Sequence, residues 1–86
     1  MFYVYVLKSQ KNGKLYVGFT NNLKRRFLEH NCIKRSVNEW TKRNGPFKIV
    51  FYESFANKKD AKKDEKFFKS GYGREVLREK LKNSLE

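Results

Sequence analysis

Five side chains in this sequence are of types that could together hydrolyse a phosphodiester: Tyr5, Tyr16, Arg26, His30 and Glu65. That reaction needs a nucleophilic water, charge stabilisation at phosphorus and help for the leaving oxygen. Arg26 offers a permanently charged, forked donor for phosphate oxygens. His30, the single histidine of the chain, can titrate near neutral pH. A tyrosine ordinarily has a pKa of about 10 and needs nearby positive charge to act as a base. A hard cation such as Mg²⁺ commonly takes one or two carboxylates plus waters and a phosphate oxygen, so Glu65 alone could hold it once substrate is present. The metal would polarise the phosphate and stabilise the leaving oxyanion. Each residue also has a plain structural reading. The tyrosines can be strand packing with hydroxyls at the rim, and Glu65 can pair with Arg26 or a lysine, or sit exposed. Spacing alone leaves Glu65 undecided.

The elements that must position these groups are legible around them. Residues 2–7 are aromatic, β-branched or Leu, which favours a strand. Lys11-Asn12-Gly13-Lys14 is a hairpin signal, and Leu15–Phe19 reads as the second strand. Alternation puts Tyr3, Tyr5 and Leu7 on one face of the first strand, and Tyr16 and Gly18 on one face of the second. Gly18, lacking a side chain, lets something approach its backbone closely. Thr20, Asn21 and Asn22 are cap types and predict a helix. There Leu23 and Phe27 form a buried stripe, flanked by Arg26 and His30, which are four apart.

Further along, Ile33, Val37 and Trp40 are spaced for a short helix. Trp40 is either a cap over the core or a stacking platform for an unpaired base. Asn44-Gly45-Pro46 is a turn. Phe47, Ile49, Phe51 and Phe55 then alternate with Lys48, Val50, Tyr52 and Ser54, which predicts a third strand with one apolar face. Asn57 should cap a helix over 58–70, in which Ala61, Asp64, Glu65 and Phe68 share a stripe. Glu65 then faces the sheet, where a carboxylate is costly unless paired or metal-bound, and Asp64 is a bystander at the edge. Gly71-Tyr72-Gly73 predicts a break, followed by an amphipathic helix over Arg74–Leu85 with Val76, Leu77, Leu81 and Leu85 inward. The expected fold is α+β: a small three-stranded antiparallel sheet flanked by helices, in the order ββαβαα, as one domain over residues 1–86.

These residues carry a resemblance. Tyr3-Val4-Tyr5 and Tyr16-Val17-Gly18, followed by Thr20-Asn21-Asn22-Leu23, Arg26 and Glu29-His30-Asn31, resemble the GIY-YIG nuclease domain. More narrowly, they resemble small stand-alone GIY-YIG proteins related to the excinuclease nuclease domain. Pro46–Phe55 is similar to the third strand of that family, Ala61–Lys69 to the helix bearing its metal-binding glutamate, and Ser70-Gly71-Tyr72-Gly73-Arg74 to the tail of the subgroup. One departure is Tyr3, which stands where the first motif has Gly. The resemblance implies that Tyr16 activates the water, that Tyr5 helps position water or phosphate, and that His30 assists orientation or proton transfer. It also implies that Glu65 binds Mg²⁺ or Mn²⁺.

With 21 Lys and Arg against 9 Asp and Glu, the 86-residue chain carries a net charge of +12. Such an excess points to polyanions, nucleic acid first. Lys8, Arg25, Lys34, Arg35, Lys42, Arg43 and Arg74 are the candidate contacts, each otherwise a solvated charge. A chain this short buries only about 60–65% of its unfolded surface, enough for one small core. Its single cysteine, Cys32, cannot form an internal disulfide and suits a reducing cytoplasm. One His and one Cys fall short of a zinc site. No apolar stretch is long enough for a membrane helix, and Met1 leads straight into a strand with nothing that looks cleavable. The first reading is therefore a cytoplasmic, metal-dependent endonuclease acting on DNA, in repair or recombination. It would be a monomer by default and could depend on a partner protein. The alternatives are a non-catalytic, basic nucleic-acid-binding module and a basic structural protein of a nucleoprotein assembly.

Overall fold

A computed structural model describes residues 1–31 and 39–85, with the backbone alone for 39–41. The hairpin forms as its sequence predicts. Strand β1 (Phe2–Ser9) pairs antiparallel with β2 (Leu15–Thr20), and the turn closes with the Ser9 amide donating to the Lys14 carbonyl at 2.9 Å. Strand β3 (Phe47–Phe55) pairs antiparallel with the other side of β1. The sheet order is β2-β1-β3, so β1 is central and β2 is an edge.

Helix α1 (Leu23–Asn31) covers one face of the sheet. Asn22 caps it, its side-chain oxygen accepting from the Arg25 amide at 3.0 Å. The short helix α2 is Glu39–Asn44. Helices α3 (Lys58–Lys69) and α4 (Gly71–Lys80) cover the opposite face. Asn57 caps α3 as predicted, its side-chain oxygen accepting from Lys59 N at 2.8 Å. None of the described helices is long and apolar enough to cross a membrane.

The main core lies under α3 and α4. Val4, Val6, Leu15 and Val17 of the hairpin meet Ala61, Phe68, Leu77 and Leu81 there. Val4, Val6 and Leu77 are fully buried, each worth roughly 1.5–3 kcal/mol relative to exposure. A smaller cluster under α1 gathers Tyr5, Leu7 and Phe47, with Tyr16, Leu23, Phe27 and Ile49 against it.

Two expectations need correction. The third strand does not present one apolar face. Val6 pairs with Phe51 but Leu7 pairs with Ile49, leaving Val50 as the extra residue of a bulge. A one-residue slip sends subsequent side chains to the other face. Phe47 and Ile49 therefore pack under α1, whereas Phe51 and Phe55 join the core under α3 and α4. This single irregularity lets one strand feed both clusters.

The second correction concerns Gly71-Tyr72-Gly73, which starts a helix rather than merely breaking one. Ser70 ends α3 and caps α4, its hydroxyl oxygen accepting from Gly73 N at 3.0 Å. A side chain at Gly73 would overlap the Phe67 carbonyl, so this glycine permits close stacking of the two helices. The helix then ends at Lys80, and Leu81–Leu85 continue as turns with Leu81 buried and Leu85 against the core.

Candidate active site

The hairpin register brings the two site tyrosines onto the α1 face. Tyr5 lies opposite Gly18 and Leu7 lies opposite Tyr16. The Tyr5 ring crosses over Gly18 so closely that any side chain there would overlap the phenol. Gly18 is thus the floor on which Tyr5 rests. The Tyr5 hydroxyl lies 2.8 Å from His30 Nε2. His30 also packs edge-on against Tyr16, with ring centroids 4.9 Å apart. One imidazole therefore ties both tyrosines to α1.

Burial decides the chemistry of this trio. His30 is 2% exposed. Burial, reinforced by the Arg26 guanidinium, lowers its pKa to about 4. It does not titrate near neutrality, as its ordinary value would suggest, but is neutral there. A neutral imidazole has one donor and one acceptor nitrogen. It can accept the Tyr5 proton or donate to the Tyr5 oxygen, according to tautomer. Burial, with Tyr16 adding to it, raises the Tyr5 pKa far above its usual value. Tyr5 is thus a neutral hydroxyl, suited to hydrogen bonding rather than to taking up a proton.

Arg26 is half-buried on the same helix. Among the described residues its Nε is buried without a hydrogen-bond partner, and Glu29 Oε1, 3.9 Å away, accepts no hydrogen bond either. That separation is too long for a hydrogen bond. The guanidinium is therefore held in place with part of its donor capacity unused.

Glu65 arrives from the other face of the sheet. Lys62, Glu65 and Lys69 form one stripe of α3 that follows β2: Lys62 Nζ sits 4.2 Å from the Phe19 ring centroid, and Lys69 lies beside Tyr16 and Val17. The Glu65 carboxylate is close enough to Tyr5 to push its phenol further upward. The carboxylate is already engaged, with Lys69 Nζ at 3.1 Å and Lys62 Nζ at 3.6 Å. This is the lysine ion pair that the sequence left open. No group of three or more His, Cys, Asp or Glu side chains gathers among the described residues. Glu65 would offer a hard divalent cation one carboxylate, which suits an ion that keeps its waters and takes further oxygens from a phosphate.

The predicted nucleic-acid contacts scatter. Arg25 is exposed near Glu29, and Lys42 and Arg43 are exposed on α2. Arg74 lines a cleft beside β2. Lys8 departs from expectation, since its Nζ donates to the Leu85 carbonyl at 2.7 Å and ties down the C-terminal turns. Lys34, Arg35 and Cys32 lie outside the described residues, as does the Trp40 side chain. Asp64 is no bystander. Burial and a hydrogen bond with Glu53 raise its pKa to about 7. Sequence reasoning set Asp64 aside as a bystander and gave Lys62 and Lys69 no role at the site; the i,i+3 and i,i+4 spacing of the lysines from Glu65 was the available signal.

The chain is similar to known proteins along most of its length. The GIY-YIG catalytic domain profile matches residues 1–81. A UPF0213 protein from Clostridium perfringens is 42% identical over 69 residues, which span 80% of this chain and 71% of the relative. The UPF0213 protein YazA of Bacillus subtilis is 35% identical over 86 residues, 98% of this chain and 84% of the relative. The solution NMR structure of a UPF0213 protein from Bacillus halodurans superposes with a TM-score of 0.54 at 32% identity, covering 90% of this chain and 82% of that one. A profile matched from the first strand to the last helix, and relatives alike over most of their length, place the chain in the GIY-YIG domain family, among proteins of the UPF0213 type.

Proposed function

We propose that the chain binds nucleic acid, DNA before RNA, through its basic surface and hydrolyses a phosphodiester at the Tyr5–Tyr16–His30 cluster. The observation that carries this reading is the convergence of two tyrosines and a buried neutral histidine beside an arginine with an unused donor. A hydrophobic core needs none of those polar groups. In this reading Arg26 grips a phosphate oxygen with its forked donors. Tyr5, held protonated, donates to the water or the phosphate and orients it. Tyr16, reacting as the phenolate, takes the proton from the attacking water, and the hydroxide so formed attacks phosphorus. His30 is a positioning residue: it is buried, and it holds both phenols in place. Glu65 would hold a Mg²⁺ or Mn²⁺ ion, which when bound supplies charge stabilisation to the leaving oxygen.

The second reading, a nucleic-acid-binding domain without turnover, is favoured by one specific observation. Glu65 is paired with both Lys62 and Lys69, so its charge is compensated within the protein. The charge of +12 and the family relation support binding more directly than cleavage, and turnover depends on whether Glu65 can be freed.

The test is a panel of labelled single-stranded, duplex, flap and branched DNA, plus RNA, incubated with Mg²⁺, Mn²⁺ or EDTA. Metal-dependent cutting is expected, lost in Tyr16→Phe and Glu65→Gln while both variants still bind. Cutting that survives Tyr16→Phe would overturn the role given to that tyrosine. Salt-dependent binding without cutting under any condition would leave the binding domain as the function.

A further inference from the structure

The outer edge of β2 carries a cleft of about 360 Å³ that meets the cluster above only at Tyr16. Lys14 and Tyr16 line it from the hairpin, Lys69 from the end of α3, and Arg74 and Arg78 from α4. Among the described residues, no acidic side chain lines it. Arg74 and Arg78 are four apart, so they stack on one face of α4. Neither is ion-paired with a carboxylate among the described residues. Lys69 is paired with Glu65, but Lys14, Arg74 and Arg78, around space for several waters, have no carboxylate partner among the described residues and repel one another unless an anion joins them. Two guanidinium forks suit the oxygens of a phosphate, which each can meet bidentately. Tyr16 forms part of both this cleft and the catalytic cluster.

We propose that this cleft is a phosphate subsite for the nucleic-acid strand, adjacent to the phosphate that is cut. The proposal rests on the nucleic-acid reading above and adds where the strand runs: along the outer edge of β2, across α4. Lys69 gives the subsite a second consequence. It lines the cleft and also holds Glu65 at 3.1 Å. A phosphate in the cleft competes for that ammonium and loosens the clamp on the carboxylate. The substrate itself would thus free Glu65 from Lys69, leaving only the longer pair with Lys62.

The experiment compares Arg74→Ala/Arg78→Ala with a charge-matched control, Lys63→Ala/Lys82→Ala, whose side chains are exposed elsewhere. Binding of labelled DNA is measured by fluorescence anisotropy across a salt series. The arginine pair should lower the slope of log affinity against log salt by about 2, roughly one per lost phosphate contact. The control should move it by less than half of that. An equal fall in both variants would mean that only net charge matters, and would overturn the subsite. In parallel, inorganic phosphate is titrated into the wild-type chain and followed by NMR. Selective shifts at the Arg74 and Arg78 side-chain Nε–H groups and the Leu15–Val17 amides support the subsite. Shifts spread evenly over all basic residues overturn it. The two readings fail separately. A wild-type chain that binds no nucleic acid but shows the selective phosphate shifts loses the nucleic-acid reading and keeps the anion site. One that binds DNA with the same slope in both variants does the reverse. Oligonucleotides with and without a 5′-phosphate identify the source. A gain on phosphorylation that disappears in Arg74→Ala/Arg78→Ala assigns the cleft to a strand end, and equal affinity for both oligonucleotides assigns it to an internal phosphodiester.

Discussion

The two faces of the sheet are built on different principles. Under α3 and α4 the contacts are mainly apolar, from Val4 and Val6 to Leu77 and Leu81, with the Asp64 carboxyl and its oxygen Oδ2, unpartnered among the described residues, at the margin. Under α1 the packed groups include a hydroxyl, an imidazole and a guanidinium, and Arg26 Nε, Glu29 Oε1 and His30 Nδ1 are buried there without hydrogen-bond partners among the described residues. Unsatisfied buried polar atoms cost about 1–3 kcal/mol each. The apolar face therefore stabilises the fold, and the α1 face depends on that stability to keep reactive groups in place. A site of this kind in a chain of 86 residues leans on the face whose contacts are mainly apolar.

The largest expected effect breaks the stabilising face. Leu77 is fully buried at the centre of that core. Leu77→Ala should cost about 2–5 kcal/mol by lost transfer energy and the cavity left behind. Urea unfolding at neutral pH measures it. A loss below about 1 kcal/mol, well under the usual range for such a truncation, would mean that this face is not where the stability resides.

A smaller effect should come from Gly18, on the other face. In Gly18→Ala the new methyl group would meet the Tyr5 phenol. The ring is confined between His30 and the strand, so it must tilt and give up its 2.8 Å bond to His30. Overpacking of this kind costs roughly 1–3 kcal/mol. The Tyr5 and His30 ring resonances should move far more than those of Leu77 or Leu81. If the fold is destabilised while the Tyr5 and His30 signals are unchanged, the strain is being taken up by the backbone, and Gly18 is not the floor of the site.

Much of this was readable from the chain. The aromatic and β-branched run of residues 2–7, the Asn-Gly turn, and the caps at Asn22 and Asn57 are local signals, and each forms as expected. What the sequence hides is non-local. The bulge at Val50 depends on how two strands must feed two cores, and no periodicity within residues 47–55 announces it. Ser70 was obscured by its neighbours, because Gly-x-Gly reads as a break until the Phe67 carbonyl is seen occupying the space that a side chain at Gly73 would need. The loss of neutral-range titration at His30 follows from burial beneath two tyrosines, which one-dimensional spacing cannot measure. The pairing of Lys69 with Glu65 was legible as an i,i+4 spacing, but its connection to a cleft on β2 was not.

The smallest effect is the most discriminating, because the faces should answer acid with opposite signs. On the α1 face His30 has a pKa near 4 against an ordinary 6.5. The unfolded chain binds that proton more readily, so the stability His30 contributes is present above 6.5 and is lost as pH falls towards 4. On the α3 face Asp64 has a pKa near 7 against an ordinary 3.8. The folded chain binds that proton more readily, so its contribution is present below 3.8 and is lost as pH rises through 7. In the wild-type chain the two trends offset each other, each on the order of 1 kcal/mol once solvent screening is allowed for. Substitution separates them. His30→Phe removes the acid-sensitive partner, so its stability relative to wild type should improve as pH drops from about 7 to about 4.5. Asp64→Asn removes the carboxyl that gains from acid, so it should be relatively stabilised near pH 7 and lose that advantage by about pH 4.5. Urea midpoints for the three proteins at both pH values measure this directly. Parallel pH profiles would mean that neither group is perturbed by its face; opposite slopes would tie the polar cost to α1 and the shared proton to the Glu53–Asp64 pair beneath α3.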